Sequence, residues 1–233
     1  MSLKNVAFID SRVADYQSLV SALPPETDWY VLNSDRSGIE QINDILVSYT
    51  NLDSIQIFSH GSAGSILIGS TLLSNDNIST YSSQLTRLGS RLSETGDILL
   101  YGCDVAQGER GQAFIESLAH YTGSDIAAST DLTGNAALGG DWTLEATTGD
   151  IEAPHVTAAD YATVLLASGL TVTPNTQVRY HRSAGEWANQ GAFAVIKSDG
   201  SVVTWGDSSY GGYDRAVAQK ISSGVVWAAD PST

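Results

Sequence analysis

The chain has 233 residues, 42% of them hydrophobic, and carries a net charge of −15 from 26 acidic and 11 basic side chains. That length provides for one sizeable core, or one domain with a smaller unit. The acidic balance argues against nucleic acid or an anionic membrane as partner, because phosphate binding needs a basic face; it favours cationic ligands, basic peptides or divalent cations. A single cysteine excludes an intramolecular disulfide, and no run reaches the roughly 18 apolar residues of a membrane span.

Short apolar runs alternate with helix-period segments through about residue 130, the pattern of βαβ units and a mostly parallel sheet. Val6–Ile9 reads as the first strand, and a helix through Tyr16, Leu19, Val20 and Leu23 stops at Pro24-Pro25. Trp29–Leu32 is the second strand, followed by a helix from about Ser37 with Ile39, Ile42, Ile45 and Leu46 on one face. Ile55–Phe58 is the third strand and ends at Ser59-His60-Gly61. The Gly/Ser-rich stretch 61–74 reads as a small hairpin or flap. Asp76 or Asn77 caps a predicted helix through Tyr81, Leu85, Leu88 and Leu92, closed at Gly96. Ile98–Tyr101 is the fourth strand and delivers Gly102-Cys103. A helix over about 109–121 turns Phe114, Ile115 and Leu118 inward, and residues 125–130 form a fifth strand. Hairpin turns are expected over 138–153 and a closing helix over 157–167, with Trp142 in the core.

The texture changes after Ser168. Residues 168–190 read as a linker that doubles as a processing segment, and 191–233 as a short β-rich unit with two strands around a Ser-Asp-Gly turn. This unit cannot bury a core alone. Its "DG…V…WG" pattern over 192–212 resembles one repeat of the regulator-of-chromosome-condensation type, which implies a chain cut at the head of a longer repeat array. At the other end, MSLKNVAFID has no signal-peptide h-region or cleavage site. The expectation is a cytoplasmic protein, or export by a signal-peptide-independent route within a larger chain.

Two reactive side chains stand at the carboxyl ends of predicted strands, where open α/β sheets bind ligands. His60 follows the third strand and Cys103 the fourth. If those strands are neighbours, both side chains open into one crevice. A lone cysteine is most often inert core filler, so two readings compete for Cys103. As a nucleophile it needs a base or positive field to become a thiolate, and His60 supplies either. Gly61 and Gly102 allow close backbone approach, and the N–H groups of Gly61 and Cys103 can face a developing oxyanion. No third residue stands out to orient His60, so the pattern is a dyad for acyl transfer. Asp104 reads as a cap of the following helix. His120, His155 and His181 are too scattered for a zinc site, and no metal site is expected.

The pair "IQIFSHG" and "ILLYGCDVA" resembles the caspase-like cysteine peptidases over roughly residues 4–165. The stretch is closer still to an uncharacterised bacterial domain near the front of long, repeat-bearing, adhesin-like proteins. The resemblance implies a caspase–haemoglobinase α/β fold for residues 1–167. It also implies Cys103 as nucleophile, His60 as base, Gly61 as oxyanion contributor and a peptide or protein substrate, the chain itself included. Gly102 and Tyr101 depart from the clan's commoner alanine and acid. The basic residues that recognise aspartate in caspases have no clear counterpart. In clan members that cut after Arg or Lys, an acid lines the first specificity pocket. Asp10 and Asp131 occupy candidate positions for it, with turn or helix capping as their alternative role. A basic specificity makes Arg179 and Arg182 candidate processing sites. No resident cofactor is implied; calcium is an option as activator, although no EF-hand spacing is present. The competing functions are a catalytically silent caspase-like assembly or adhesion module and a thioester hydrolase.

Overall fold

The computed structural model describes residues 4–165 and the backbone of two further strands, 192–196 and 202–206. The chain divides into two compact units, Met1–Ser168 and Gly169–Thr233. In the second, β10 (Ala192–Ile196) and β11 (Val202–Gly206) pair antiparallel, Ala192 against Gly206 and Ile196 against Val202. Arg179, Arg182 and His181 lie outside the described residues.

The first unit is α/β. In chain order it runs β1 (Asn5–Asp10), α1 (Tyr16–Ala22), β2 (Thr27–Leu32), α2 (Gly38–Leu46), β3 (Leu52–Phe58), then a meander of β4 (His60–Ser62), β5 (Ser65–Ile68) and β6 (Thr71–Ser74). It continues through α3 (Ser82–Gly89), β7 (Leu92–Tyr101), α4 (Gly108–Thr122), β8 (Ile126–Ala128) and β9 (Ala146–Thr147). The main sheet has the order β2-β1-β3-β7-β8-β9, parallel except for the antiparallel edge strand β9. Among the described residues no helix is long and apolar enough to cross a membrane.

Period-two alternation splits the sheet into two cores. Val6, Phe8, Ile55, Ile57, Ile98 and Leu100 face one layer, filled by Ile39 and Ile42 of α2, Leu85 and Leu88 of α3, and Phe114, Ile115 and Leu118 of α4. Ala7, Ile9, Phe58, Leu99 and Tyr101 face the other, covered by Leu19 of α1 and by an irregular return segment carrying Trp142, Leu144, Val156, Tyr161 and Leu165. Both layers are closed, as a near-continuously apolar parallel strand requires.

Three expectations are corrected. The helix through Leu92 ends at Gly89, and Leu92 instead opens β7 opposite Leu52. Gly96, expected to stop that helix, lies in an irregular stretch of β7 opposite Leu52–Ser54. A Cβ there would meet the Leu52 carbonyl oxygen at 2.6 Å, so the close backbone approach requires glycine. The closing helix over 157–165 does not form. Ala158, Tyr161 and Leu165 are buried as their spacing predicts, but the backbone bonds of this stretch run to the loop at 133–135 instead of along a helix: Asn135 N–H donates to the Thr163 carbonyl and Leu165 N–H to that of Thr133, both at 2.8 Å.

The return segment is anchored by two buried polar side chains on β7. Asp97 accepts from the N–H groups of Glu152 and Ala153 at 2.9 and 2.8 Å, and Tyr101 Oη accepts from Val156 N–H at 2.7 Å. Tyr101 also stacks on Phe58, its β3 neighbour, with ring centroids 4.6 Å apart. Trp142 packs against Tyr101 and Tyr161 in the same core.

Candidate active site

β3 and β7 are adjacent, with Phe58 opposite Tyr101, so the chain leaves both strands at the same end. Ser59 N–H continues the ladder to the Tyr101 carbonyl at 2.9 Å. The next residues, His60-Gly61 and Gly102-Cys103, abut: a Cβ on Gly61 would stand 2.7 Å from the Cys103 carbonyl oxygen, and one on Gly102 3.0 Å from that of Ser59. The two glycines thus let the strand ends pack on each other. The loop after β7 is pinned on both sides. Gly64 N–H donates to the Val105 carbonyl at 3.0 Å, Asp104 N–H to that of Asp131 at 2.7 Å, and Ala106 N–H to that of Ser129 at 2.9 Å.

His60 starts β4, paired with Leu67 of β5. Its ring is buried, and Nε2 lies 3.3 Å from the carbonyl of Arg12 while Nδ1 lies 3.2 Å from that of Leu165. The Arg12 carbonyl is the third, orienting group that the sequence did not reveal. It is a backbone atom, and no side-chain pattern encodes it. A neutral imidazole donates from one nitrogen only, so both contacts together are satisfied only by imidazolium. Burial works the other way and pulls the His60 pKa below its usual value, against the opposing pull of the two carbonyls.

Cys103 is wholly buried in the second core. Its thiol points to the Thr133 carbonyl, 3.9 Å away. Burial, with smaller contributions from Asp104 and Asp131, pushes its pKa up to about 12. Nδ1 of His60 faces the Leu165 carbonyl. The thiol is thus buried, the imidazole lies between two carbonyls, and Leu165 of the return segment packs beside both.

Asp10 ends β1 fully buried and is committed to Arg12. Its oxygens accept from Arg12 Nε and one Nη at 2.8 Å, from Arg12 N–H at 3.0 Å and from Gly69 N–H at 2.7 Å. Burial alone would raise its pKa, but these donors leave it lowered. Arg12 also donates to the Gly69 carbonyl. Asp10 therefore ties the β5–β6 turn and the Arg12 loop to the sheet, and through that loop fixes the carbonyl beside His60. Asp131 is exposed, with Ser129 Oγ 3.3 Å from its carboxylate. It forms, with Asp141 and Glu145, a group of exposed carboxylates within 4.8 Å of one another. All three already accept local hydrogen bonds, Asp131 from Ser129 Oγ, Glu145 from Thr130 N–H and Asp141 from Thr143 N–H.

Asp104 is not the cap of α4; that position is Gln107. Asp104 instead holds a left-handed turn at φ 61°, a conformation Asp adopts more readily than most residues. Its carboxylate accepts from Gln107 Nε2 at 2.8 Å. Burial and the nearby Asp131 push its pKa up to about 6.

Residues 6–165 match the domain family described as "Domain of unknown function (DUF4347)", and the chain belongs to that family. No curated protein matches the chain. A solved structure described as "Crystal structure of a small-chain dehydrogenase" is similar at 11% identity over 51% of this chain and 75% of that one, with a TM-score of 0.29, a likeness too loose to define the fold.

Proposed function

We propose that the first unit is a caspase-like cysteine endopeptidase on a caspase–haemoglobinase-type fold. The carrying observation is that adjacent parallel strands deliver His60-Gly61 and Gly102-Cys103 to one point with their backbones in contact. The orienting carbonyl of Arg12 adds support, since Nε2–H bound there leaves Nδ1 as the basic nitrogen. In the open site, Nδ1 takes the Cys103 proton, Sγ attacks the peptide carbonyl, and the N–H groups of Gly61 and Cys103 receive the oxyanion. Asp10, committed to Arg12, lends no support to a basic specificity pocket. The mechanism needs no resident metal. Calcium enters it only as an activator, tested by chelation.

A second reading is favoured by the closed geometry: a thiol raised to about 12 and an imidazole held by carbonyls also suit a silent assembly or adhesion module. A peptide library carrying every residue type before the cleaved bond, read by mass spectrometry, separates the two. The peptidase cuts it, and Cys103→Ala and His60→Ala do not. An uncut library, or equal cutting by Cys103→Ala, refutes the peptidase.

A further inference from the structure

We infer that residues 163–165 are an autoinhibitory strand: seated along the loop at 133–135, they hold Cys103 and His60 in an unreactive arrangement, and their release frees the pair. The inference rests on the peptidase reading above and concerns how that site is switched. Val164 bridges Gly134 antiparallel. The flanking bonds are those of an added strand, Asn135 N–H to the Thr163 carbonyl and Leu165 N–H to the Thr133 carbonyl, both 2.8 Å. The bed is shaped for a backbone. Gly134 has φ +138°, and a Cβ there would sit 2.6 Å from the Val164 Cα; one on Gly140 would sit 3.0 Å from the Val164 Cγ1.

The seated strand disables both members of the pair. Its Leu165 carbonyl oxygen lies 3.2 Å from His60 Nδ1. A carbonyl oxygen only accepts, so this contact calls for a proton on Nδ1 and opposes the lone pair that a base needs there. Cys103 Sγ points to the Thr133 carbonyl, the oxygen that also takes Leu165 N–H. The thiol and the Leu165 side chain are both wholly buried in one apolar cluster with Val13, Phe58 and Tyr101. A thiolate in that cluster would be desolvated, and a peptide cannot reach a sulfur that has no exposed surface.

The strand is also placed so that it can leave. Residues 163–165 belong to none of the six strands of the main sheet, so their departure breaks no ladder of that sheet. They are held by the two backbone bonds, by Asn135 Nδ2 at the Tyr161 carbonyl, 2.8 Å, and by the packing of Val164 and Leu165. Water takes over the freed backbone groups at small net cost. Departure removes the acceptor from His60 Nδ1, while the Arg12 carbonyl, 3.3 Å from Nε2, stays to orient the ring. The proton then belongs on Nε2, and Nδ1 becomes the basic nitrogen.

The initial rate at which the full 233-residue chain cuts the peptide library tests this. Val164→Asp puts a charge at a position only 8% exposed, which makes the strand costly to seat. Asn135→Asp keeps the oxygen that Ala137 N–H reaches and removes the donor to the Tyr161 carbonyl. The wild type is expected to cut slowly, Val164→Asp about tenfold faster and Asn135→Asp about fivefold faster. Adding Cys103→Ala to either variant abolishes the cutting. Unfolding does not mimic this result, because it lowers cutting, and Asn135→Asp decides the matter if Val164→Asp fails to fold. Cys103-dependent cutting at the wild-type rate or below in the folded variants overturns the inference and leaves the peptidase reading intact. A library left uncut by the wild type and both variants overturns the two together.

Discussion

The carbonyl oxygen of Leu165 stands 3.2 Å from Nδ1 of His60, across 105 residues of sequence. The contact places the end of the return segment on the His60 nitrogen that takes the Cys103 proton in the proposed mechanism. If the proposed dyad operates, its chemistry depends on how residues 163–165 are seated, which single substitutions test.

Thiol reactivity is the first readout of that coupling. With the Cys103 pKa pushed up to about 12 by burial, the thiolate fraction near neutral pH is very small. Alkylation by iodoacetamide is expected to be slow and to rise about tenfold per pH unit between about pH 7 and 10, following the thiolate population. Asn135→Ala removes the hydrogen bond to the Tyr161 carbonyl, a loss of about 1 kcal/mol, and loosens the segment. Intact-mass time courses should show alkylation accelerated about fivefold in that variant. Unchanged kinetics would disconnect the segment from the thiol.

The Asp10–Arg12 pair carries a stability prediction. Asp10 is fully buried, and its carboxyl is held below the usual range by donors from Arg12 and Gly69 that outweigh burial. Asp10→Ala leaves the half-buried Arg12 guanidinium without this partner. A loss of about 3 kcal/mol is expected in urea unfolding. Because the folded pKa lies below the unfolded value of 3.8, the contribution of Asp10 is fully present above that pH and is lost as pH falls through the folded value. The wild-type advantage over Asp10→Ala should therefore shrink only in strong acid. The same variant frees the Arg12 loop and should lower any peptidase activity through loss of the orienting carbonyl.

Asp104 behaves in the opposite sense. Burial and Asp131 raise its pKa from 3.8 to about 6, so the native state binds the proton more tightly than the unfolded chain. Stability from this group falls as pH rises between those two values and is level above them. Asp104→Asn keeps the oxygen that Gln107 Nε2 reaches and tolerates the left-handed turn. The variant should match the wild type near pH 4 and exceed it by about 1 kcal/mol at pH 7, discounted for solvent screening. Urea melts at the two pH values measure the difference; a variant less stable than wild type at pH 7 would contradict this account of Asp104.

The packing of the two strand ends makes Gly61 the most sensitive glycine of the site. A Cβ there would press on the Cys103 carbonyl oxygen at 2.7 Å, backbone that β7 and the following turn hold in place. Gly61→Ala should cost about 1–3 kcal/mol, the usual range for overpacking, and should move His60 relative to Cys103. Urea melts and the peptide-library rate together test it. Wild-type stability with wild-type activity would show that the strand ends tolerate separation.

How much of this was legible in the sequence follows from what each feature depends on. Apolar runs such as Val6–Ile9 and Ile98–Tyr101 mark the strands directly, because buried parallel strands need continuous apolar faces. The adjacency of the His60 and Cys103 strands is only a condition in the sequence, and the β3–β7 pairing meets it. The return segment reads as a helix because Ala158, Tyr161 and Leu165 fall at helical spacing. Their backbone groups find partners instead at Thr133 and Asn135, a long-range pairing that local spacing does not encode. Gly96 differs for a similar reason: a glycine after a helical pattern signals a stop, whereas here it answers the approach of the Leu52 carbonyl. The Arg12 carbonyl beside His60 left no trace, since its position depends on the Asp10–Arg12 pair and not on a side-chain motif. Asp10 is available to a substrate only if its neighbour Arg12 is left unpaired, and the structure pairs the two.

The nucleophile itself is tested most directly by covalent capture. The wild-type chain, Cys103→Ala and His60→Ala are each treated with acyloxymethyl ketones carrying a mixed peptide library, and the site of attachment is mapped by peptide mass spectrometry. The account predicts a single adduct on Cys103, formed at least tenfold faster in the wild type than in His60→Ala and missing from Cys103→Ala. No adduct on Cys103, or one formed at the same rate without His60, would contradict a Cys103–His60 peptidase.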